Sequence, residues 1–238
     1  MNFKEVLQSN KESYEDKYSR NEGFLRYPAD WLIRFHNMFL KPNLPLGKVL
    51  DYGCGSGNNS VFFMQKGYEV YGVEVAKASL GLIRENIKYY HLPEDKLKNF
   101  SIISPDTRKL EFEDGFFDFI FSNQVLYYLP QEEHIKSLAK EFSRILKPGG
   151  IVFFTMMGPK NYYISHHTKN VYGNVYDVKI DVPGHRLDGT RELVYLVRDE
   201  EELRKLFEEF QCLSVGYFDQ SMFDMKSNFH WIFVGKKQ

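Results

Sequence analysis

Two spacings of hydrophobic residues divide the chain. Through the first 45 residues apolar positions recur at helical intervals. Pro28-Ala29-Asp30 is a fitting helix start, Trp31, Leu32, Phe35, Met38 and Phe39 then fall on one face, and Pro42 and Pro45 end the segment. From Lys48 onward, short apolar runs alternate with helical stripes. Val49-Leu50-Asp51-Tyr52 predicts a short buried strand, followed by strands at Glu69 to Glu74, Phe100 to Ile103, Phe117 to Phe121 and Ile151 to Met156. The intervening helices are one that ends near Gly67, one striped by Leu80, Ile83, Ile87 and Tyr90, and one from Glu132 to Leu146. The last turns Ile135, Leu138, Ala139, Phe142 and Ile145 inward, and Pro148-Gly149-Gly150 stops it.

Strands and helices alternating at this spacing require right-handed crossovers and a mainly parallel sheet covered on both faces. The rhythm breaks near the end. After a helix near Glu200 to Phe210 come strands at Leu213 to Phe218 and Phe229 to Gly235, joined only by the loop Asp219 to Asn228. So short a connection demands an antiparallel hairpin. The expected fold is α/β: a doubly wound, mainly parallel seven-stranded sheet with a C-terminal antiparallel hairpin and helices on both faces.

Composition narrows the function. A chain of 238 residues with 43% hydrophobic residues suffices for one well-cored domain, and no repeat or linker divides it. Its formal net charge of −1 lacks the basic excess that phosphate contacts require, so no nucleic-acid partner is expected. Cys54 and Cys212 cannot build a disulfide framework or a zinc cluster. They fit a reducing cytoplasm, and no metal is expected. Met1 to Asn10 holds no apolar signal region, and no apolar run approaches the roughly 20 residues that cross a bilayer. A cytoplasmic protein without a membrane partner is the expectation. Most of the 21 Phe read as core, whereas many of the 16 Tyr crowd into loops.

The strongest chemical signal is Asp51-Tyr52-Gly53-Cys54-Gly55-Ser56-Gly57, between a strand and a helix. Glycines at alternate positions let the backbone turn tightly and approach a ligand with no Cβ in the way. The next helix begins at Asn58-Asn59-Ser60, residue types suited to capping, with its N–H groups and positive dipole end toward the ligand. Seventeen residues after Gly57, Glu74 ends the second strand, where a carboxylate can accept from both hydroxyls of a ribose. Nicotinamide-binding turns favour G-x-G-x-x-G, but Asn58 stands at the place of the last glycine. That tilts the reading away from a dinucleotide.

Val49 to Asn58 resembles motif I of the class I (Rossmann-like) S-adenosylmethionine-dependent methyltransferases, in particular the small-molecule group related to quinone-biosynthesis methyltransferases. The likeness continues in order through Val70 to Val75, Asp106-Thr107 with Leu110 and Phe112, Asp118 to Leu126, and Arg144 to Gly150. It implies that Gly53, Gly55 and Gly57 wrap the methionine and ribose part of the donor, with Asp51 near its amino group. It places Glu74 on the ribose hydroxyls, Val75 on the adenine, and Asp106 with Thr107 at the adenine amino group. Ser122, Asn123 and Val125 would line the floor below the sulfonium. Cys54 is read as structural.

The same likeness divides the single domain into an N-terminal helical lid (1–45), a donor-binding core (46–157), an acceptor-side insertion (158–198) and a C-terminal helix and hairpin (199–238). In the lid, Tyr18 and Tyr27 are expected near the sulfonium and Arg26 at the donor carboxylate; packing of the N-terminal helix explains the same aromatics equally well. In the insertion, Lys160, Lys169, Lys179, Arg186 and Arg191 face Asp177, Asp181 and Asp188. A mildly cationic pocket for an anionic small-molecule acceptor would follow, although solvated surface charge is the plainer account. An oxygen acceptor needs a base, for which His166, His167 and His185 are the candidates by location. His134, among Glu132 and Glu133, reads as exposed, and His230 as structural. The absence of an N-P-P-Y tetrapeptide after the fourth strand speaks against planar amino acceptors. The tail bears a weak likeness to methyltransferases of bacterial surface-glycan pathways, which ranks sugars and sugar-linked phosphoryl compounds first. Rival readings are a nicotinamide-dependent oxidoreductase and a donor-binding regulatory protein without chemistry.

Overall fold

A computed structural model describes residues 3–22, 24–166, 168–180, 189–221 and 227–238, with residues 165, 166 and 190 described by their backbone. Helix α1 (Phe3–Ser19) is built from Lys, Glu, Gln and Leu without Pro or Gly. Glu5 in its first turn and Lys17 in its last complement the helix dipole. It buries Val6, Leu7 and Asn10. Helix α2 (Asp30–Phe35) runs into a π-helical turn (His36–Leu40) and then α3 (Lys41–Asn43). The extra residue in a π turn rotates the face that follows. Met38, expected on the buried stripe, is therefore 80% exposed, and Leu40 takes its place inside.

The core follows as β1 (Lys48–Tyr52), α4 (Asn58–Gln65), β2 (Glu69–Glu74), α5 (Ser79–Tyr89), β3 (Phe100–Ile102), β4 (Phe117–Ser122), α6 (Glu132–Ile145) and β5 (Leu146–Met157). After α7 (Tyr162–His166) come β6 (Thr168–Tyr172), β7 (Val175–Ile180) and β8 (Thr190–Tyr195). The last elements are α8 (Glu200–Leu206), β9 (Gln211–Phe218) and β10 (His230–Lys236). The main sheet has the order β3-β2-β1-β4-β5-β10-β9. β1 pairs in parallel with β2 and β4, with Val49 opposite both Val70 and Phe119, and β10 runs antiparallel to β5 and β9. This is the expected seven-stranded sheet with its hairpin.

Side chains along β5 alternate between two cores. Ile151 and Phe153 join the core under α2, α4 and α5, whereas Val152 and Phe154 join the one under α6 and α8. Helices therefore cover both faces.

The insertion holds a second sheet that the hydrophobic pattern did not predict, antiparallel in the order β6-β7-β8. Gly173, at φ +48°, and Asn174 make the tight turn between β6 and β7. Val175, Val178, Ile180 and Val194 are buried, and Lys169, Asn170 and Lys179 turn outward.

Candidate active site

Beyond β1 the chain bends through three left-handed glycines, Gly53 at φ +76°, Gly55 at +52° and Gly57 at +76°. Gly53 N and Cys54 N both donate to Val73 O, at 2.8 and 3.1 Å, which ties the bend to β2. A Cβ on Gly53 would lie 2.4 Å from Val125 Cγ2. The backbone thus needs glycine here for conformation and for space together.

Glu74 points into this bend. Its Oε2 accepts from Gly55 N at 3.0 Å, and its Oε1 from Val75 N at 2.7 Å and Ala76 N at 3.3 Å. Burial raises its pKa, opposed by those backbone N–H groups. Asp51 lies behind the bend, 2% exposed, accepting from Ser60 Oγ at 2.5 Å. Burial pushes its carboxyl up to about 7; the Ser60 hydroxyl works against the shift and the Glu74 charge adds to it.

Asn58, Asn59 and Ser60 do not cap α4, whose start at Gly57 carries no side-chain cap. Asn58 and Asn59 strap the preceding segment down instead. Asn58 Nδ2 donates to Tyr27 O at 2.9 Å, and Asn59 Oδ1 accepts from Ala29 N at 3.0 Å. Asn86 Nδ2 adds bonds to Leu25 O and Ser56 O.

A cavity of about 1250 Å³ opens at the carboxyl ends of the strands, with the bend, Glu74 and Val75 in its wall. Helix α1 forms its roof. The Tyr18 hydroxyl would lie 2.9 Å from a Cβ on Gly55, and Tyr14 packs against Tyr18 and edge-on against Tyr128. Asn10 Nδ2 donates to Tyr128 O and Leu193 O, and Lys17 Nζ reaches Glu192 Oε1 at 2.6 Å. The far wall holds Tyr127, Met157, Asn161, Tyr163 and His230.

Residues 50–154 match the family described as "Methyltransferase domain". A ubiquinone biosynthesis O-methyltransferase of Azoarcus sp. is 32% identical over 46% of this chain and 44% of its own length. The chain spans about half or less of the length of the curated relatives it matches. Among solved structures, a methyltransferase from Methanosarcina mazei superposes with TM-score 0.64 at 19% identity, covering 86% of this chain and 96% of that one. A 1,6-didemethyltoxoflavin-N1-methyltransferase from Burkholderia thailandensis, solved with S-adenosylhomocysteine bound, gives 0.62 at 13%, covering 98% and 87%. These likenesses share the fold. The core is a class I methyltransferase domain. The cofactor of such a domain is S-adenosylmethionine, and the aimed Glu74 carboxylate beside a bend free of Cβ atoms fits it.

The methyltransferase domain does not bring every expected residue to the crevice. Gly53, Gly55, Glu74, Val75, Asn123, Val125, Tyr18 and Tyr27 line it. Gly57 packs toward Ile83, and Ser122 is buried with its hydroxyl on Tyr52 O at 3.0 Å, so it braces β4 to β1. The Arg26 guanidinium lies over the rings of Phe24 and Tyr89, at 4.6 and 4.4 Å, away from the cavity wall. Asp106 is exposed and accepts from Ser104 Oγ at 2.5 Å, which holds its carboxyl below the usual range; Pro105 takes the wall position. Thr107 places its carbonyl oxygen 3.5 Å from His134 Nε2.

His134, expected to be exposed, is 1% exposed. It faces the loop carrying Thr107 from the first turn of α6, and burial lowers its pKa. His167, His185 and the His166 side chain lie outside the described residues. The pattern missed Tyr127 and Glu192, and it read His230, which lines the cavity, as structural. For His230 a signal existed: a last strand antiparallel to β5 must begin where β5 ends.

Proposed function

We propose that this chain transfers the methyl group of S-adenosylmethionine to an oxygen of a small-molecule acceptor. The favoured class is a sugar, sugar nucleotide or phosphoryl-containing metabolite of surface-polysaccharide synthesis, and the setting is the cytoplasm. The observation that carries the reading is the Glu74 carboxylate on Gly55 N at the floor of the roofed cavity. About 1250 Å³ exceeds the roughly 300–1,000 Å³ that one drug-sized ligand fills, which leaves room for donor and acceptor side by side.

Gly53, Gly55 and Glu74 would hold the donor, with Val75 at its adenine and Asn123 and Val125 beneath its sulfur. The donor supplies a methyl carbon on a positively charged sulfur. The protein's part is to align the acceptor oxygen with that carbon and to exclude water under α1. The name of the Azoarcus relative supports oxygen as the acceptor atom. The free thiols of Cys54 and Cys212 support a reducing compartment. No helix among the described residues is long and apolar enough to cross a membrane.

Calorimetry with S-adenosylhomocysteine and with NAD tests the donor: the first should bind and the second should not. Tight NAD binding alone would establish an oxidoreductase. Labelled S-adenosylmethionine incubated with a small-molecule extract tests the chemistry, and incorporation should vanish in Gly55→Arg. Donor binding with no transfer across a broad acceptor panel would leave a binding module.

A further inference from the structure

Methylation of a hydroxyl releases a proton, which a base in the cavity can take. We infer that His230 is the base that accepts the acceptor's proton at Nε2, oriented by Tyr127; this inference rests on the oxygen-methylation reading above. His230 opens β10 opposite Met157, the last residue of β5, so the antiparallel hairpin returns it to the carboxyl edge where doubly wound sheets bind their ligands. It lines the same cavity as Gly53 and Glu74. Among the described wall residues it is the one histidine. The acids there, Asp16, Glu22, Asp30 and Glu74, belong to α1, its following loop, the start of α2 and the donor bend.

The surroundings select one tautomer. His230 Nδ1 lies 3.0 Å from Asn228 O, and a carbonyl oxygen only accepts, so Nδ1 carries the hydrogen. Nε2 therefore keeps its lone pair. It lies 3.4 Å from the Tyr127 hydroxyl, on the turn that opens one residue past Val125, whose own side chain rests on Gly53. One line of contacts thus runs from the glycine bend to the imidazole. The ring is stacked on Phe218 at 4.9 Å and 14° and tilted against Tyr127 at 5.4 Å, which fixes its plane. Burial depresses the pKa to about 4, eased by the Asn228 carbonyl and by Asp219, so the ring is uncharged at neutral pH.

In the transfer step the acceptor oxygen forms its bond to the methyl carbon as the carbon–sulfur bond breaks and its electron pair passes to sulfur. The hydroxyl proton passes to Nε2, displacing the Tyr127 hydroxyl from the single lone pair there. The positive charge borne by the donor beforehand is borne by the imidazole afterwards. The cavity therefore holds one positive charge at both ends of the step. The basicity of His230 rises as the neighbouring positive charge is lost.

The test has two arms. In the first, ring-nitrogen NMR of the S-adenosylhomocysteine complex should show Nδ1 protonated and Nε2 bare at neutral pH, with Tyr127→Phe shifting Nε2. A proton on Nε2 overturns the inference whatever the activity. In the second, His230→Gln should keep S-adenosylhomocysteine affinity within about twofold while single-turnover transfer to hydroxyl compounds of the extract falls about a hundredfold or more. Transfer within about threefold of wild type overturns the role of His230 and leaves the function standing. If the wild type delivers no label to any hydroxyl compound, the oxygen-methylation reading falls and takes this inference with it.

Discussion

Gly53 and Gly81 show how differently two glycines can serve one chain. Gly53 has φ +76° and Val125 Cγ2 where its Cβ would go; Gly81, inside α5, has an ordinary backbone and open space around it. Gly53→Ala should cost about 2–3 kcal/mol of stability and weaken S-adenosylhomocysteine binding at least tenfold, read by thermal melts and calorimetry. Gly81→Ala should raise stability by about 0.5–1 kcal/mol and leave binding unchanged. Equal effects of the two substitutions would refute the close approach at the bend. At this scale the sequence was legible where spacing along one loop decides position, as for Gly53, Gly55 and Glu74. It was opaque where a neighbour remote in the chain decides direction. Phe24 and Tyr89 draw the Arg26 guanidinium aside, and Ser104 draws Asp106.

Among elements, α1 depends most on partners from elsewhere in the chain. Asn10 ties it to Tyr128 and Leu193, Lys17 to Glu192, and Glu15 takes Lys77 N and Ala78 N at the start of α5. The Glu192 side chain is fully buried, and its Oε2 has no hydrogen-bond partner among the described residues. Lys17→Met would strand that carboxylate without a counter-charge and should cost about 3–5 kcal/mol. Lys17→Met together with Glu192→Leu should recover most of the loss in denaturant melts. A double variant no better than the single one would show that the ion pair is not what holds the helix. The helical pattern of α1 was readable, but its docking surface was not. That surface is β8 of the second sheet, whose strands are short, rich in Lys, Asn and Tyr, and embedded in a segment read for its chemistry. The alternation from Tyr176 to Ile180 and the turn at Gly173-Asn174 were the available signals.

Over the whole molecule, buried titratable groups pull stability in opposite directions with pH. His230 has a folded pKa near 4 against an ordinary value of 6.5, so below pH 6.5 the unfolded chain binds the extra proton. Stability is lost as pH falls from about 6.5 to about 4, by about 3 kcal/mol in all. His36 and His134 shift the same way. Asp51, raised to about 7, acts with the opposite sign: its stabilising share is present below about pH 4 and is lost as pH rises through 7. The wild type should therefore show a blunted pH profile. His230→Gln should flatten the loss between pH 6.5 and 4, and Asp51→Asn should gain on the wild type steadily from pH 4 to pH 8. Thermal melts across that range check both signs, and parallel profiles for all three proteins would contradict them. The parallel half of the sheet and its final hairpin were legible because apolar period and loop length determine them. The cavity's far wall was not, since it draws on the turn after β4, the end of β5, α7 and the start of β10 at once.

The last strand, β10, lies inside the sheet between β5 and β9. Until residues 230–236 slot into that gap, β5 presents an open edge and the crevice lacks His230. Under the proposed roles, a molecule at that stage would have the donor bend and Glu74 in place without the residue assigned to receive the proton. The strand that closes the edge of β5 is thus the one that would bring the proposed base to the crevice.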